Sequence, residues 1–235
     1  MHPDGHRREH VDPTFLLGVA GVTELLLVRH ARQNLGDDFL SHAIGELDDP
    51  PLSELGRRQA AAVAGSLAGE ELHAVYASTL QRAGDTAKAI ATEHALDVVP
   101  VAGIEEFGLL RDLPPEKTLR EALGEVRFRG FQRRWSRTRR WSAWPGSEPV
   151  SEFYERVVGT IEGIVAGHPG QRVVIVTHGG VLNAYVGDLL GATDNMFFSP
   201  AHASITRVRA KHDRRVLVTL NELQHLTNPD DVLTF

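Results

Sequence analysis

Arginine and histidine side chains follow directly after apolar runs that have the composition of buried strands. Arg29 and His30 come after the run LLLV, and His178 comes after RVVIVT. Arg82 lies shortly after a third run, AVYAS. The planar guanidinium group of arginine matches the oxygens of a phosphate, and neutral imidazole is a nucleophile near pH 7. Together these residue types predict the binding of a phosphate and its transfer to a histidine.

The four side chains can meet only if the apolar runs are neighbouring strands of one sheet. Strands are predicted at Glu24–Val28, Ala74–Ala77, Leu96–Val101 and Arg172–Thr177. Helices are predicted after the N-cap residue Ser53, over Thr79–His94, over Ser151–Ala166 and after Gly179. Two final runs, ASITRVRA and RVLVTLN, flank KHDR and predict a hairpin.

This alternation of strands and helices predicts an α/β protein. We expect three α/β/α layers with a mostly parallel central sheet and an antiparallel strand pair late in the chain. In such sheets, binding sites form at the carboxyl ends of the strands, which is where the arginines and histidines fall.

The domain organisation predicted from the chain is simple. Residues 23–235 are expected to form one domain, with a helical insertion at about residues 107–148, inside the longer section from Gly103 to Glu148. Residues 1–22 are predicted to be a flexible N-terminal arm. His6 and His10, four residues apart, could bind a metal on a helix, but a disordered arm is favoured because the segment has little to bury.

The composition excludes several classes of function. The chain has 235 residues and no cysteine, which excludes disulfides, thiolate metal sites and a cysteine nucleophile. The net charge of -6 makes a nucleic-acid partner unlikely without a local basic patch. No apolar run approaches the ~18 residues that a membrane helix needs, so we expect a soluble, cytoplasmic protein with no membrane partner.

Several motifs occur in an order that resembles a known family. They are LLLVRHA, PPLSELGRRQA, VYASTLQRAGDTA, EEF, PGSEPVSEFYERV, VIVTHGGVLNAYV and SITRV, spread over roughly Glu24–Leu226. This ordered set resembles the phosphoglycerate mutase-like group of the histidine phosphatase superfamily. The resemblance implies the fold of that group and a metal-independent phosphatase that hydrolyses phosphomonoesters. It also implies a small phosphorylated substrate, no metal and no cofactor, and it leaves oligomerisation possible.

The resemblance also implies roles for individual residues. His30 matches the histidine that becomes phosphohistidine, and Arg29 and Arg82 match the two phosphate-binding arginines. His178 matches the second histidine, which binds the phosphate and stabilises the transition state.

The resemblance leaves the proton donor open between two residues. Glu105 and Glu106 both lie where the family has its acidic residue, and we favour Glu106 because it directly precedes an aromatic residue. Glu148 matches a glutamate in a turn and is expected to hold the rim of the site by hydrogen bonds.

Departures from the family pattern surround the substrate pocket. Ala31 replaces a glycine, RQNLGDD replaces the usual E-[ST]-x-x-N, and Asn34 comes two residues too early to match the family asparagine. The substrate therefore stays open. The alternatives to a phosphatase are a cofactor-dependent phosphoglycerate mutase and a binding module that holds a phosphorylated ligand without turnover.

The segment from Arg127 to Arg140 contains seven arginines interleaved with aromatic residues. Phe128, Phe131 and Trp135 have the spacing of one helix face. The favoured interpretation is an amphipathic helix docked on the domain with solvated or paired arginines. The alternatives are a cap whose arginines face an anionic leaving group and, least favoured, a nucleic-acid surface.

Overall fold

The computed structural model describes residues 11–35, 39–192 and 194–228. The strands are β1 (Thr23–Arg29), β2 (Ala74–Ser78), β3 (Val98–Val101), β4 (Arg172–Thr177), β5 (Ile205–Lys211) and β6 (Arg214–Glu222). The α-helices are α1 (Glu54–Leu67), α2 (Gln81–Glu93), α3 (Leu119–Leu123), α4 (Glu125–Thr138), α5 (Val150–Gly167) and α6 (Gly179–Leu190). Short 3-10 helices span Phe39–Ser41, Ile44–Leu47 and Trp141–Ala143.

The six described strands form one sheet in the order β3-β2-β4-β1-β5-β6. Strands β3, β2, β4 and β1 are parallel, whereas β5 runs antiparallel to β1 and β6 antiparallel to β5. The predicted fold, a mostly parallel α/β sheet with a late antiparallel pair, is therefore confirmed.

Strand β1 lies at the centre of the sheet and shows why helices cover both faces. Successive side chains of a strand point to opposite faces. Leu25 and Leu27 pack in the apolar core beneath α5 and α6, while Leu26 and Val28 pack in the core beneath α1 and α2. An uninterrupted apolar run is what a strand buried on both faces requires.

Helix α1 fixes the loop that follows β1. The predicted N-cap is present, since Ser53 Oγ accepts a hydrogen bond from Gly56 N at 3.0 Å. Ser53 also bonds to the loop, donating from its backbone N to Arg32 O at 2.9 Å. A Cβ atom on Gly56 would overlap Arg32 O, so glycine is needed for this close approach.

Helix α2 begins at Gln81, two residues later than predicted. Leu80 has an extended backbone with ψ of 135°, and the Thr79 hydroxyl donates to Glu105 Oε1 at 2.8 Å. The contact with Glu105, on the loop after β3, was not visible in the helical periodicity.

A third apolar core, separate from the two cores that flank the sheet, joins the segment predicted as an insertion to Ile44 and its neighbours. Phe128 and Phe131 of α4 are buried there, and the Phe131 ring lies 4.6 Å from the ring of Trp144 between centroids. Trp135 is partly buried against the same tryptophan, with ring centroids 5.4 Å apart. These three residues form the helix face that their spacing predicts.

The described part of the N-terminal segment, residues 11–22, contains a tight turn. Asp12 and Leu17 exchange backbone hydrogen bonds at 2.9 Å, and Leu16 between them is buried. His6 and His10 lie outside the described residues. Within the part of the chain that the structure describes, no helix combines the length and apolar character needed to span a bilayer.

Candidate active site

The carboxyl ends of β1 and β4 bring the two predicted histidines together. His30 directly follows β1, and its backbone N donates to Thr177 O at the end of β4 at 2.8 Å. His178 comes next in the chain. The two imidazole rings lie 5.0 Å apart between centroids, and both side chains are buried.

One hydrogen bond sets the tautomer of His30. Its Nδ1 lies 2.8 Å from Ala31 O, and a carbonyl oxygen can only accept, so Nδ1 carries the proton. In the neutral ring the lone pair is then on Nε2. The backbone of the residue that replaces the family glycine therefore leaves Nε2 as the nucleophilic atom.

Both histidines are held in the neutral form. Burial lowers the pKa of His30 well below its ordinary value of 6.5, and the nearby side chains of His178, Arg82, Arg29 and His202 lower it further. Burial also lowers the pKa of His178, with contributions from Arg82, Arg29 and Arg156. A neutral imidazole is the form that can attack phosphorus.

The two predicted phosphate arginines lie near the histidines, with Arg82 buried and Arg29 partly buried. Arg29 Nη1 donates to Pro200 O at 2.5 Å, and Arg82 Nη1 donates to Asp48 O at 3.1 Å. Burial lowers the pKa of Arg29 to about 10, which leaves the guanidinium charged at neutral pH. Within the described residues, the buried atoms Arg29 Nε and His178 Nδ1 have no hydrogen-bond partner, and a phosphate could supply one to each.

The neighbouring glutamates Glu105 and Glu106 have different surroundings. The Glu106 carboxylate accepts from Gly180 N at 3.0 and 3.2 Å, at the first turn of α6. Its charge acts on both Arg29 and Arg82, so it lies with the phosphate residues. Glu105 instead accepts from Thr79 Oγ1 at 2.8 Å and from Gly103 N at 2.7 Å, which ties up its carboxylate within the loop.

The start of α6 binds a carboxylate of the protein itself. A helix N-terminus has unpaired backbone N–H groups and the positive end of the helix dipole, which together favour an anion. In the structure the Gly180 N–H donates to Glu106, and a Cβ atom on Gly180 would overlap Glu106 Oε1. The anion at this helix terminus is therefore a side chain of the protein itself.

Arg156 on α5 holds the loop that carries the glutamates, and sequence reasoning missed it. It donates to Gly103 O at 2.9 Å, to Glu105 O at 3.0 Å and to Glu106 O at 3.2 Å. It also donates to both carboxylate oxygens of Glu148, at 3.1 and 2.7 Å. Glu148 accepts in addition from Gly108 N, which agrees with its predicted structural role.

His202 is a third buried histidine beside the site, and it too was missed. Its ring lies 5.4 Å from the ring of His30 between centroids, and its Nε2 bonds to Gln33 Oε1 at 3.1 Å. It precedes β5, which runs antiparallel to β1, so the amino end of β5 lies at the carboxyl end of β1. The sequence signal that could have identified His202 is its position just before a strand that was predicted to be antiparallel.

A cavity of about 810 Å³ opens beside this cluster. Arg82, Glu106 and His202 line it at the histidines, and Arg32 and Gln33 line it from the loop after β1. The loop that departs from the family pattern therefore contributes directly to the cavity wall. The structure thus brings together His30, His178, Arg29, Arg82 and Glu106, and it places Glu105 at the edge of the same cavity.

Comparisons with known proteins agree with this geometry. Residues 25–223 match the histidine phosphatase superfamily (branch 1). Phosphoserine phosphatase 1 of Hydrogenobacter thermophilus is 30% identical over 212 residues, which cover 87% of this chain and 95% of that protein. The metal-independent phosphoserine phosphatase of Arabidopsis thaliana is 29% identical and covers 88% of this chain and 84% of that one.

A solved structure shows that the similarity also holds for the fold. The mycobacterial glucosyl-3-phosphoglycerate phosphatase superposes with a TM-score of 0.68 at 26% identity, covering 85% of this chain and 99% of that one. The family and the phosphatases among these relatives support a phosphoric monoester hydrolase. With nearly the whole sheet and the site inside the matched residues, the chain belongs to the histidine phosphatase superfamily.

Proposed function

We propose that this chain hydrolyses phosphate monoesters in two steps, through a phosphohistidine on Nε2 of His30. The observation that carries the proposal is the bond from His30 Nδ1 to Ala31 O, at 2.8 Å, in a ring that burial keeps neutral. It leaves the lone pair on Nε2 of a ring that lies 5.0 Å from the His178 ring between centroids and close enough to Arg29 and Arg82 for both to lower its pKa.

In the first step the Nε2 lone pair forms a bond to phosphorus while the bond from phosphorus to the ester oxygen breaks. Arg29, Arg82 and His178 bind the phosphoryl oxygens and stabilise the charge that they carry in the transition state. Glu106, in its acid form, gives its proton to the departing oxygen, which leaves as an alcohol.

In the second step water takes the place of the alcohol. The Glu106 carboxylate accepts a proton from water, whose oxygen attacks phosphorus. The bond between nitrogen and phosphorus breaks, its electron pair returns to Nε2, and inorganic phosphate leaves. Glu106 recovers its proton, so the enzyme returns to its starting state.

The nucleophile is tested by His30→Ala, with His94→Ala as the matched control at the C-terminal end of α2. We expect His30→Ala to lower kcat/KM for p-nitrophenyl phosphate by about a thousandfold or more and to abolish phosphorylation of the protein by a labelled substrate. His94→Ala should behave as the wild type. Full activity in His30→Ala, with an unchanged circular dichroism spectrum, would contradict the proposal, as would one labelled equivalent without turnover in the wild type.

The proton donor is tested by comparing Glu106→Gln with Glu105→Gln on two leaving groups. An alkyl alcohol needs a proton to leave, whereas p-nitrophenolate does not. We expect Glu106→Gln to lower kcat/KM, which reports formation of the phosphohistidine, by about 100-fold or more for an alkyl phosphate and much less for p-nitrophenyl phosphate. The same pattern in Glu105→Gln, and not in Glu106→Gln, would transfer the role to Glu105.

A further inference from the structure

We propose that the apolar part of the cavity wall forms a subsite, and that the preferred substrates are phosphate monoesters of a bulky alkyl or aromatic alcohol. The subsite, called the apolar chamber below, is formed by Ile44, Leu47, Leu109, Leu110, Leu113 and Trp144. The inference rests on the proposed function, because it assigns the organic part of the substrate of the same site.

The first observation is the size of the cavity. Its volume of about 810 Å³ falls in the range of roughly 300–1,000 Å³ that is typical of pockets for drug-sized ligands. A phosphoryl group and a small alcohol fill only a minor part of this volume. The remainder can hold an organic group of substantially larger size.

The second observation is the chemistry of the wall. Several of the charged side chains that line the cavity are paired with other protein groups. Arg82 Nη1 lies 3.6 Å from Asp49, Arg111 lies 3.5 Å from Glu148, and Glu105 lies 3.7 Å from Arg156. The wall is therefore mixed, and its aliphatic and aromatic part is the set of six chamber residues.

The third observation is that the chamber is built from segments bonded to each other. Gly45 N donates to Pro115 O at 2.8 Å, and Ile44 N donates to Lys117 O at 2.9 Å. On the other side, Leu110 N donates to Pro145 O at 3.2 Å. These backbone bonds join residues 44–45, 110–117 and 145 into a continuous wall, so little ordering is needed when a ligand binds.

The arginine-rich helix α4 supports this wall from behind. Phe131 and Trp135 pack on Trp144, and Phe128 packs in the same core. None of the seven arginines between Arg127 and Arg140 is among the residues that line the cavity in the described part of the chain. The helix thus contributes its aromatic face to the substrate site, and its arginines lie outside it.

The test uses a series of n-alkyl phosphates from methyl to hexyl phosphate. Their alcohols have nearly equal leaving-group reactivity, so kcat/KM reports binding of the chain. We expect kcat/KM to rise by about two- to fourfold for each methylene that enters the chamber, and to exceed the value for phosphoserine at hexyl phosphate. A flat or falling series, or phosphoserine as the better substrate, would overturn the inference.

This experiment separates the inference from the function on which it rests. Equal hydrolysis of all the phosphates would leave the proposed function intact and remove the apolar subsite. Absence of hydrolysis of every monoester, p-nitrophenyl phosphate included, would remove both.

A substitution in the apolar chamber tests whether the preference for longer alkyl chains arises there. Leu113 is partly buried and lines the cavity, whereas Leu190 is 55% exposed at the end of α6 and serves as the control. We expect Leu113→Ser to lower kcat/KM for hexyl phosphate by about five- to tenfold and to change methyl phosphate less than twofold. Leu190→Ser should change neither. An equal loss on both substrates in Leu113→Ser would contradict the assignment, and the alkyl series on the wild type tests it without any variant.

Discussion

In the proposed mechanism the nucleophile is the buried imidazole of His30, and the surroundings of the ring determine its protonation state. His30 and His178 are surrounded by Arg29 and Arg82 and are shielded from water. Burial first, and the neighbouring positive charges second, depress the pKa of both rings. The His30 ring of the free protein therefore stays neutral in mildly acidic solution, where an exposed histidine is protonated.

We predict that neither His30 nor His178 titrates near the ordinary histidine pKa of 6.5. The measurement is the pH dependence of the ring carbon and proton resonances of the unliganded protein, assigned with His30→Asn and His178→Asn. Both midpoints are expected well below 6.5 because the charged forms are the disfavoured ones. A midpoint at or above 6.5 for His30 would contradict the argument.

The same shifts predict how stability depends on pH. A ring whose folded-state pKa is depressed stabilises the fold fully above pH 6.5, and this contribution is lost as the pH falls towards the folded-state pKa. His30→Asn should accordingly lose less stability than the wild type between about pH 6.5 and pH 5 in urea unfolding. An identical pH dependence in the two proteins would count against burial as the cause.

Arg156 acts through Glu106 without contacting the histidines. Its guanidinium group bonds to the carbonyl oxygens of Gly103, Glu105 and Glu106, and to the Glu148 carboxylate. A lysine keeps the charge but cannot reproduce the planar set of donors. The loop that carries the acid would then be held less firmly.

We predict that Arg156→Lys lowers kcat/KM for an alkyl phosphate, which reports formation of the phosphohistidine, by about 10- to 100-fold. The loss should be much smaller for p-nitrophenyl phosphate, whose leaving group needs no acid. Equal losses on the two substrates would indicate a general structural defect rather than a misplaced Glu106. Arg209→Lys, on β5 level with the amino end of β1, is the matched control.

At the scale of the elements, the sequence identified the strands better than the long-range contacts that close the site. An apolar run such as Leu25–Val28 predicts a strand from local sequence alone. Its uninterrupted apolar residues indicate burial on both faces, and the charged residues that follow mark where the strand ends. The same argument predicted His30 and His178 at neighbouring strand ends. The contacts of Arg156 and His202 with the site join residues that are far apart in the sequence. They depend on how α5 and β5 pack beside the site, and the order of residues near Arg156 or His202 does not reveal that packing.

Helix α4 has one buried aromatic face and one exposed face that is rich in arginine. Phe131 is buried against Trp144, whereas Arg133 and Arg137 are exposed. Arg129 pairs with Glu125, and Arg139 lies over the Trp135 ring at 5.7 Å from its centroid. The favoured interpretation of a docked amphipathic helix agrees with these contacts.

We predict that Phe131→Ala lowers the free energy of unfolding of the insertion by about 3–5 kcal/mol, because it empties a packed aromatic core. Arg137→Ala, on the exposed face of the same helix, should change it by less than about 0.5 kcal/mol. Hydrogen exchange of the α4 amides measures both. If Arg137→Ala were the more destabilising variant, the arginines and not the aromatic residues would hold the helix.

At the scale of the whole molecule, the candidate active site lies at one end of the sheet, and ion pairs lie at the other end. The phosphate residues gather at the carboxyl ends of β1 and β4. A chain of ion pairs lies at the opposite ends, where Arg172 bonds to Glu24 and lies 3.3 Å from Glu70. Arg207, level with the middle of β1, pairs with Glu70 at 2.7 Å and with Glu222 at 3.2 Å, so the chain of ion pairs runs from this end along the sheet towards the carboxyl end of β1. Changes at this end should alter stability and leave the chemistry unchanged.

Glu24 is the position at which to test that separation. Burial of its carboxyl acts to raise its pKa, but hydrogen bonds and charges of Arg172 and Arg209 outweigh it, so the pKa lies below its ordinary value of 4.5. Such a group contributes stability above pH 4.5, and the contribution is lost as the pH falls through the folded-state pKa.

We predict that Glu24→Gln destabilises the protein by about 1–2 kcal/mol near pH 7, with kcat/KM unchanged within about twofold. The difference from the wild type should shrink as the pH falls below 4.5, because Glu24 itself becomes protonated. Urea unfolding at several pH values measures the first effect and p-nitrophenyl phosphate hydrolysis the second. Glu71→Gln, whose side chain is 87% exposed, should change neither. A loss of activity in Glu24→Gln at full stability would mean that the two ends of the sheet are coupled.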